Sequence, residues 1–300
     1  MSFFEAIILG FIQGVAEFLP VSSSGHLAIF KNFFGLSEAG IAFDILLHVG
    51  TLVAVFICFW NDIWELIVGG FGIVIDVCKN IGIYFSNLFN KNKKGYEKKS
   101  YIEIISTPFR RYVMLIIIAT IPTGIMGIVL KDMIETVSAS LIVPGICLLM
   151  TSIILLIADN AKDGHEDESN VSYKKAGFVG ICQGFATMPG ISRSGTTVTA
   201  CLLAGMDRAF AVKFSFIVSI PAILGAAVLD IPDLFKEGVT SSEMINYAAG
   251  TIVAGVVGYI CIKTMLKIVR KKKFKVFSIY CAIMGLVSIV GFFLIYFINF

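Results

Sequence analysis

Two short segments of the sequence combine the residue types that handle phosphate. The first runs from Gln13 to His26 and contains Glu17, three consecutive serines and a glycine. The second runs from Pro189 to Thr197 and reads Pro-Gly-Ile-Ser-Arg-Ser-Gly-Thr-Thr. Hydroxyls and glycine backbone amides bind anions, and an arginine guanidinium can hold two phosphate oxygens at once. Together the two segments predict one phosphate-handling site.

Arg193, in the second segment, is the residue that most directly indicates a bound anion. An arginine inside an apolar stretch is costly and is usually kept for function. The glycines allow close backbone approach, and the helix expected to follow directs its positive N-terminus to the same place. A helix cap whose arginine extends to lipid headgroups is the alternative. The predicted phosphate-binding residues here are Gly190, Ser192, Ser194, Gly195 and Thr197.

The first segment supplies reactive groups. Gln13 and Glu17 are four residues apart and share a helix face, and the carboxylate can hold a divalent cation or transfer a proton. Ser23 or His26 can attack phosphorus, with the other as its activating partner. A polar-lined helix break with a structural glutamate is the alternative. Further phosphate donors predicted in this segment are Ser22, Ser24 and Gly25.

Asp44 and His48 form a third polar pair, also four residues apart, at the start of a later apolar stretch. One interpretation places both side chains in the wall of the same cavity. A polar helix end at the membrane surface explains them equally well, and the sequence does not decide between the two.

The elements that position these residues are predicted to be membrane helices. The chain has 300 residues, of which 57% are hydrophobic and 15% are charged, whereas soluble domains have about a quarter charged. Apolar runs of about 20 residues, long enough to cross a bilayer, recur throughout. The composition indicates membrane lipids as the surroundings and gives no sign of nucleic-acid binding. The predicted spans are Ile41–Trp60, Tyr112–Leu130, Leu141–Ala158, Ala209–Leu229, Tyr247–Ile268 and Val276–Ile298.

The two polar segments are related to each other by a constant offset, the one that aligns Gln13 with Gln183. Seven identities fall within a short window at this offset, and they include Gly14 with Gly184. Both segments interrupt an apolar stretch at a proline, and both resume as an apolar segment too short to span. The pattern predicts an internal duplication in which each polar segment is the tip of a re-entrant helical hairpin.

The distribution of charge predicts the orientation. Basic residues concentrate in 91–111 and 263–275, so the positive-inside rule places both loops in the cytoplasm. The spans between them are consistent with this only if 176–206 does not cross, so one hairpin enters from the cytoplasmic side and the other from outside. The predicted fold is therefore an all-α integral membrane protein with six transmembrane helices and two re-entrant hairpins in an inverted-topology repeat.

The chain is predicted to form a single membrane domain over residues 1–300. The first repeat covers about 1–158 with an insertion at 62–111, and the second covers about 176–300. Residues 62–90 do not fit the repeat, and we interpret them as a cytoplasmic-side interfacial helix or a packing insertion, although further spans there remain open.

The two motifs resemble those of a known family, the undecaprenyl-pyrophosphate phosphatases of the bacitracin-resistance type. Gln13 and Glu17 match its (E/Q)xxxE signature, and residues 189–197 match its PGxSRSxxT motif. The resemblance covers essentially the whole chain. It implies hydrolysis of undecaprenyl diphosphate to the monophosphate and inorganic phosphate, which recycles a lipid carrier for cell-wall synthesis.

The resemblance also implies site residues, a cofactor and a location. The acidic motif falls on Gln13 and Glu17, the reactive pair on Ser23 and His26, and the phosphate-binding arginine on Arg193. The family depends on a divalent cation, Mg²⁺ or Ca²⁺, and Gln13 would contribute an amide oxygen where a second carboxylate is also allowed. The expected location is the bacterial inner or plasma membrane, crossed several times.

A lipid-phosphate transporter or flippase is the alternative function, because inverted repeats with broken helices are typical of transporters. The sequence leaves open the nucleophile, the side on which the site opens and whether the protein forms a homodimer.

Overall fold

The structure is a computed structural model that describes residues 1–35, 41–91, 93, 96–138, 142–234, 241–271 and 273–298. Within these residues the chain forms twelve α-helices joined by turns and loops, which confirms the all-helical class. The helices are α1 (Phe3–Phe18), α2 (Ser23–Phe34), α3 (Ile41–Cys58), α4 (Trp60–Asn90), α5 (Pro108–Val129), α6 (Lys131–Ser138), α7 (Ile142–Asn160), α8 (Tyr173–Phe185), α9 (Arg193–Leu203), α10 (Arg208–Leu234), α11 (Ser241–Arg270) and α12 (Phe274–Ile298).

Six of the described helices are long and apolar enough to cross a membrane, namely α4, α5, α7, α10, α11 and α12. The predicted number of spans agrees, but one member differs. The predicted span Ile41–Trp60 is α3, whose apolar stretch Ala42–Cys58 is shorter than the six. Residues 62–90, which do not fit the repeat, lie on one continuous helix of 31 residues, a result compatible with the predicted interfacial helix and with a span.

The basic loops lie at one end of the helix bundle, and we call this end the basic end. α5 and α10 begin there side by side, because the rings of Tyr112 and Phe214 stack with their centroids 6.0 Å apart. α7 ends beside the start of α10, since Arg208 donates to the carbonyl of Ala161 at 2.8 Å, and α12 begins there too, since the backbone N–H of Phe274 donates to Asp159 Oδ1 at 2.9 Å. The loops predicted to be cytoplasmic, 91–111 and 263–275, therefore lie on one side.

The pair α8 and α9 joins the rest of the chain at the basic end. Lys175, at the start of α8, donates to Glu166 Oε1 at 2.5 Å, and the backbone of Glu166 pairs with that of Met206, just after α9. The two helices have 13 and 11 residues, which corresponds to lengths of about 20 Å and about 17 Å. Each is too short to cross a bilayer alone, as predicted.

The pair α1 and α2 joins the chain at the opposite end. The Asn246 side chain donates to the backbone carbonyl of Met1 at 3.0 Å, so α1 begins beside the start of α11. Lys31, in the last turn of α2, forms an ion pair with Asp44 at 2.6 Å in the first turn of α3. The pair α8 and α9 and the pair α1 and α2 therefore join the chain at opposite ends of the bundle.

One glycine in α1 and one in α8 allow each of these helices to pack closely on a longer helix. A Cβ atom on Gly10 of α1 would come within 2.3 Å of the carbonyl oxygen of Gly250 in α11. A Cβ atom on Gly180, the repeat partner of Gly10, would come within 2.1 Å of the carbonyl oxygen of Ala119 in α5. Backbone contact this close requires residues without side chains, and it fixes how deeply both tips reach into the bundle.

Candidate active site

Two equivalent serines begin the helices that follow the tips. Ser22 Oγ accepts a hydrogen bond from the N–H of Gly25 at 3.2 Å, and Ser192 Oγ accepts one from the N–H of Gly195 at 3.1 Å. Each hydroxyl caps an amide that the helix leaves unpaired. α2 and α9 therefore both begin at the site, as the sequence predicted for the helix after the second segment.

The two tips touch through their glycines. A Cβ atom on Gly25 would lie 3.0 Å from the Cα of Gly190, and the N–H of Gly190 lies 3.4 Å from Ser24 Oγ. Gly190 has a φ of +95°, a conformation that L-residues rarely adopt. The structure thus brings the two sequence motifs, one from each half of the chain, into direct contact.

Glu17 is the centre of the contact and is almost fully buried at 5% exposure. Its Oε1 forms an ion pair with the guanidinium of Arg193. Its Oε2 accepts hydrogen bonds from Ser23 Oγ at 2.6 Å and from Gln13 Nε2 at 3.1 Å. A buried carboxylate needs such compensation, and here both motifs supply it. Four of the predicted site residues therefore form one connected network.

A cavity of about 270 Å³ opens beside this network. Glu17, Ser23 and Arg193 line it together with small or apolar side chains of α10, such as Ala222 and Ala226. The α10 and α3 residues in its wall lie in the half of each helix that is farther from the basic end. The cavity is therefore on the side of the bundle opposite the basic loops.

The predicted phosphate-binding residues fall into two groups. Ser22, Ser24 and Ser192 line the cavity beside Ser23 and Arg193. The others pack behind the cavity wall: Thr197 Oγ1 donates to the carbonyl of Arg193 within α9 at 2.8 Å. The remaining members of this packing group are Gly25, Gly190, Ser194 and Gly195.

His26 does not contact Ser23 in this structure. Its ring is 3% exposed, with Nδ1 2.8 Å from the carbonyl oxygen of Ser22 and Nε2 2.7 Å from the hydroxyl of Tyr280. The rings of His26 and Tyr280 stack with an interplanar angle of 8°. No sequence pattern pointed to Tyr280, because it comes from α12, near the other end of the chain.

His48 lines the cavity, and Asp44 does not. His48 Nδ1 is 3.0 Å from Gln13 Nε2 and 3.7 Å from Glu17 Oε2. Asp44 is occupied by Lys31 at the end of the bundle. The cavity-wall interpretation therefore applies to His48, and the helix-end interpretation applies to Asp44.

Gln183 and Thr123 are polar cavity residues to which the sequence reasoning gave no role in the site. Gln183 Nε2 donates to Thr123 Oγ1 at 3.1 Å, and both side chains line the cavity. Gln183 was found only as the repeat partner of Gln13, and Thr123 lies in a predicted span. Gln183 contacts the carbonyl of Val218, and Gln13 contacts His48. In both pairs the two residues are the same number of positions apart in the sequence.

The residues around Glu17 fit a divalent cation in part. Gln13 Oε1 is buried without a hydrogen-bond partner, and amide oxygens and carboxylates are ligands that hard cations accept. In the part of the chain that the structure describes, no three residues among His, Cys, Asp and Glu are grouped to hold a metal. Gln13 and Glu17 are therefore the protein donors available from the predicted pair.

An apolar groove continues from the cavity between α5 and α10. It encloses about 510 Å³ and shares Thr123, Thr187, Ala222 and Ala226 with the cavity. Its walls include Gly124, Gly127 and Gly225, and a Cβ atom on any of them would meet nothing within 4 Å. The groove therefore has room because three residues lack side chains.

Taken together, the helices and the site define a multi-pass membrane protein whose charged pocket, built from two helix tips, opens into an apolar groove. The chain matches the family model described as "Bacitracin resistance protein BacA" over residues 6–287, and it belongs to that family.

Similar proteins carry a consistent name. The chain is 41% identical to "Undecaprenyl-diphosphatase" of Methanosphaera stadtmanae, over 95% of this chain and 96% of the relative. It is 39% identical to the protein of that name from Methanobrevibacter smithii, over 97% and 98%. A third, from Desulforapulum autotrophicum, is 35% identical over 97% and 99%.

Proposed function

We propose that the protein hydrolyses undecaprenyl diphosphate to undecaprenyl phosphate and inorganic phosphate, recycling a lipid carrier of cell-wall synthesis and conferring bacitracin resistance. The observation that carries this proposal is the cavity beside Glu17. Arg193 and Ser23 line it on either side of Glu17, and it continues into an apolar groove. Phosphate release from undecaprenyl diphosphate by the purified protein tests it directly.

The diphosphate would be held mainly by charge and hydroxyl groups. Arg193 offers a bidentate donor, and its ion pair with Glu17 fixes its orientation. Ser22, Ser24 and Ser192 add hydroxyls on the cavity wall. Phosphoryl transfer depends on positioning and on neutralising the charge that develops at the transferred group. An arginine held in place before substrate binds needs little reorganisation to do this.

Ser23 is the nucleophile that this geometry favours. Its hydroxyl already donates to Glu17 at 2.6 Å, so the carboxylate is placed to accept the proton as Ser23 attacks the terminal phosphorus. The bond to the bridging oxygen then breaks, undecaprenyl phosphate leaves, and water hydrolyses the phosphoserine. His26 remains a candidate base or nucleophile, which first requires its ring to leave Ser22 and Tyr280.

A divalent cation, Mg²⁺ or Ca²⁺, would be held by Glu17 and the amide oxygen of Gln13. When bound, it supplies positive charge that offsets the negative charge of the diphosphate. The orphaned amide oxygen of Gln13 supports this assignment.

The polyprenyl tail would lie in the groove between α5 and α10. The groove meets the cavity at Thr187 and Ala222, so a lipid whose headgroup occupies the cavity has an apolar path along which to leave it. Burial of each methylene group is favourable by about 0.8 kcal/mol. The groove would therefore select long lipid diphosphates over short soluble ones.

We predict that Gly225→Phe discriminates between substrates by chain length. The phenyl ring would fill the groove, so KM for undecaprenyl diphosphate should rise by about tenfold, the effect of losing about 1.4 kcal/mol of binding free energy. Turnover of a short isoprenyl diphosphate, which does not extend along the groove, should change less than twofold. Steady-state phosphate release with the two substrates measures both.

Gly291→Phe is the matched control. Gly291, in α12, also has nothing within 4 Å of a Cβ atom, and it does not line the groove. It should leave both substrates unaffected. Equal losses for short and long substrates in the Gly225 variant would contradict the assignment of the groove.

The helix ends support the inverted-topology repeat with two re-entrant hairpins. α8 and α9 both join the chain at the basic end, whereas α1 and α2 both join it at the opposite end. The matching hydrogen bonds of Ser22 and Ser192 also follow the offset that aligns the two motifs. With the basic end in the cytoplasm, the protein would sit in the plasma membrane with its cavity open to the outside.

Reporter fusions should reveal this orientation. A reporter joined after His165, in the connector at the basic end, should report a cytoplasmic location. One joined after Asp132, at the far end of α5, should report an external one. The reverse pattern at both positions would invert the topology and place the cavity opening in the cytoplasm.

The contacts of α4 favour a helix that lies along the membrane surface. Asp62 pairs with Lys213 at 3.0 Å and Asp76 pairs with Arg110 at 2.8 Å. The two acids are about 21 Å apart along the helix, yet Lys213 Nζ is only 5.9 Å from the ring of Tyr112, two residues after Arg110. Between these two contacts α4 therefore runs mainly parallel to the membrane plane rather than across the membrane. It would rest at the cytoplasmic interface.

A further inference from the structure

His48 approaches the same oxygen of Glu17 that meets Ser23 and Gln13. Its Nδ1 is 3.7 Å from Glu17 Oε2, and Gln13 Nε2 is 3.1 Å from that oxygen. Nδ1 and the Gln13 amide nitrogen are 3.0 Å apart. Three side chains from α1 and α3 thus converge within the separations that neighbouring ligands of one metal ion have, given metal–ligand distances of about 2.0–2.2 Å.

His48 is also accessible in a way that Gln13 is not. Its side chain is 37% exposed and lines the cavity, whereas Gln13 is fully buried. At the equivalent place in the second half of the chain, the neighbour of Gln183 is the backbone carbonyl of Val218 and not an imidazole. The imidazole therefore belongs to the Glu17 half of the site alone, the half that carries the carboxylate.

We propose that His48 Nδ1 is a third protein ligand of the divalent cation, together with Glu17 Oε2 and the amide oxygen of Gln13. This inference rests on the cation of the proposed function. A half-turn of the Gln13 amide would direct its oxygen toward Glu17 and His48, and it would break no hydrogen bond on the other side, because Oε1 has no partner there. Arg193 stays on Oε1 of Glu17 and does not compete for Oε2.

An imidazole ligand changes which metal the site prefers. Mg²⁺ and Ca²⁺ favour sites made only of oxygen atoms, whereas imidazole suits the later first-row metals. With one nitrogen and two oxygens from the protein, the site should bind Mn²⁺ more tightly than Mg²⁺ or Ca²⁺. His48 would then set the metal specificity of this chain.

The simpler alternative is that His48 only accepts a hydrogen bond from the Gln13 amide. In that case the imidazole orients Gln13, and no nitrogen is bonded to the metal. The two arrangements predict different spectra of bound Mn²⁺, and this difference does not depend on turnover.

The experiment titrates the full-length protein in detergent with Mn²⁺ alone and records electron spin echo modulation from ¹⁴N. The wild type should bind Mn²⁺ and show the modulation of a directly bonded imidazole. His48→Gln, which retains a polar side chain, should lose the modulation and bind Mn²⁺ at least tenfold more weakly, with Ca²⁺ affinity changed less than threefold. The chain has two other histidines, so His26→Gln and His165→Gln should each retain the modulation.

Bound Mn²⁺ without ¹⁴N modulation in the wild type would overturn the proposal, and so would modulation that persists in His48→Gln. The outcome is separable from the proposed function. A protein that shows the His48 signal but releases no phosphate would retain the metal ligand and contradict the phosphatase, whereas one that hydrolyses the lipid without the signal would do the reverse.

Discussion

Arg193→Ala should lower phosphate release from undecaprenyl diphosphate by about a thousandfold or more, within the range found when an arginine is removed from a phosphoryl-transfer site. Arg193 is the cation on the cavity wall that contacts Glu17, so its loss removes both the anion-binding fork and the group that compensates the carboxylate. Arg193→Lys should recover only part of the rate, because an ammonium group keeps the charge but cannot bind two oxygens in one plane. Steady-state assays with the full-length lipid measure both variants.

A control is needed because Arg193→Ala leaves a buried carboxylate without its partner, which destabilises proteins by about 3–5 kcal/mol. Arg208 is a matched arginine. It is 7% exposed and pairs with Asp163 at 2.7 Å, at the basic end and away from the cavity. Arg208→Ala should lower thermal stability by less than Arg193→Ala does, because the Asp163 side chain is 53% exposed, while turnover per folded molecule stays within about threefold. If Arg193→Ala retained more than a tenth of wild-type turnover, Arg193 would not be the phosphate-binding residue.

Ser23→Ala should have an effect of similar size, about a thousandfold or more, as expected when a nucleophile is removed. Ser23 is the cavity hydroxyl that donates to Glu17. Its neighbour Ser24 also lines the cavity, but it lies beside the N–H of Gly190 at 3.4 Å. Ser24→Ala should therefore cost about tenfold or less, the loss of one modest hydrogen bond. Steady-state turnover of the two variants isolates the hydroxyl that carries the chemistry.

Trapping the intermediate separates Ser23 from His26. Rapid acid quenching of wild-type enzyme with labelled substrate should leave an acid-stable phosphoserine at position 23, identified by peptide mass spectrometry. His26→Gln should lower the rate through loss of the contacts with Ser22 and Tyr280, yet still yield the phosphoserine. An acid-labile phosphohistidine at position 26, together with turnover within tenfold of wild type in Ser23→Ala, would assign the nucleophile to His26 instead.

Three features were determined by the sequence alone because each depends on local chemistry or on the overall composition of the chain. Hydrophobic composition requires membrane helices, and their number was predicted. A helix was predicted to follow the second segment, and Ser192 caps that helix within a single helical turn of chain. The offset between the two motifs and their residue types then indicated one site, and the family named from those motifs is the one to which the chain belongs.

The sequence was less informative where two interpretations share one pattern. α4 contains charges that fit a surface segment, and its 31 residues also have the length and composition of a span. Asp44 and His48 have the same spacing as Gln13 and Glu17, but only His48 lines the cavity. Periodicity shows which residues share a helix face and does not show what that face meets.

Only the tertiary structure decided which groups touch. Glu17 meets Arg193 in the other half of the chain, and His26 meets Tyr280 in the last helix. Such contacts arise from the packing of whole helices, set by close approaches such as Gly10 against Gly250, and no local pattern encodes them. For that reason the sequence proposed candidate reactive residues from their types and spacing, whereas the fold determined that Glu17 accepts the hydrogen bond from Ser23 and on which side of the bundle the cavity lies.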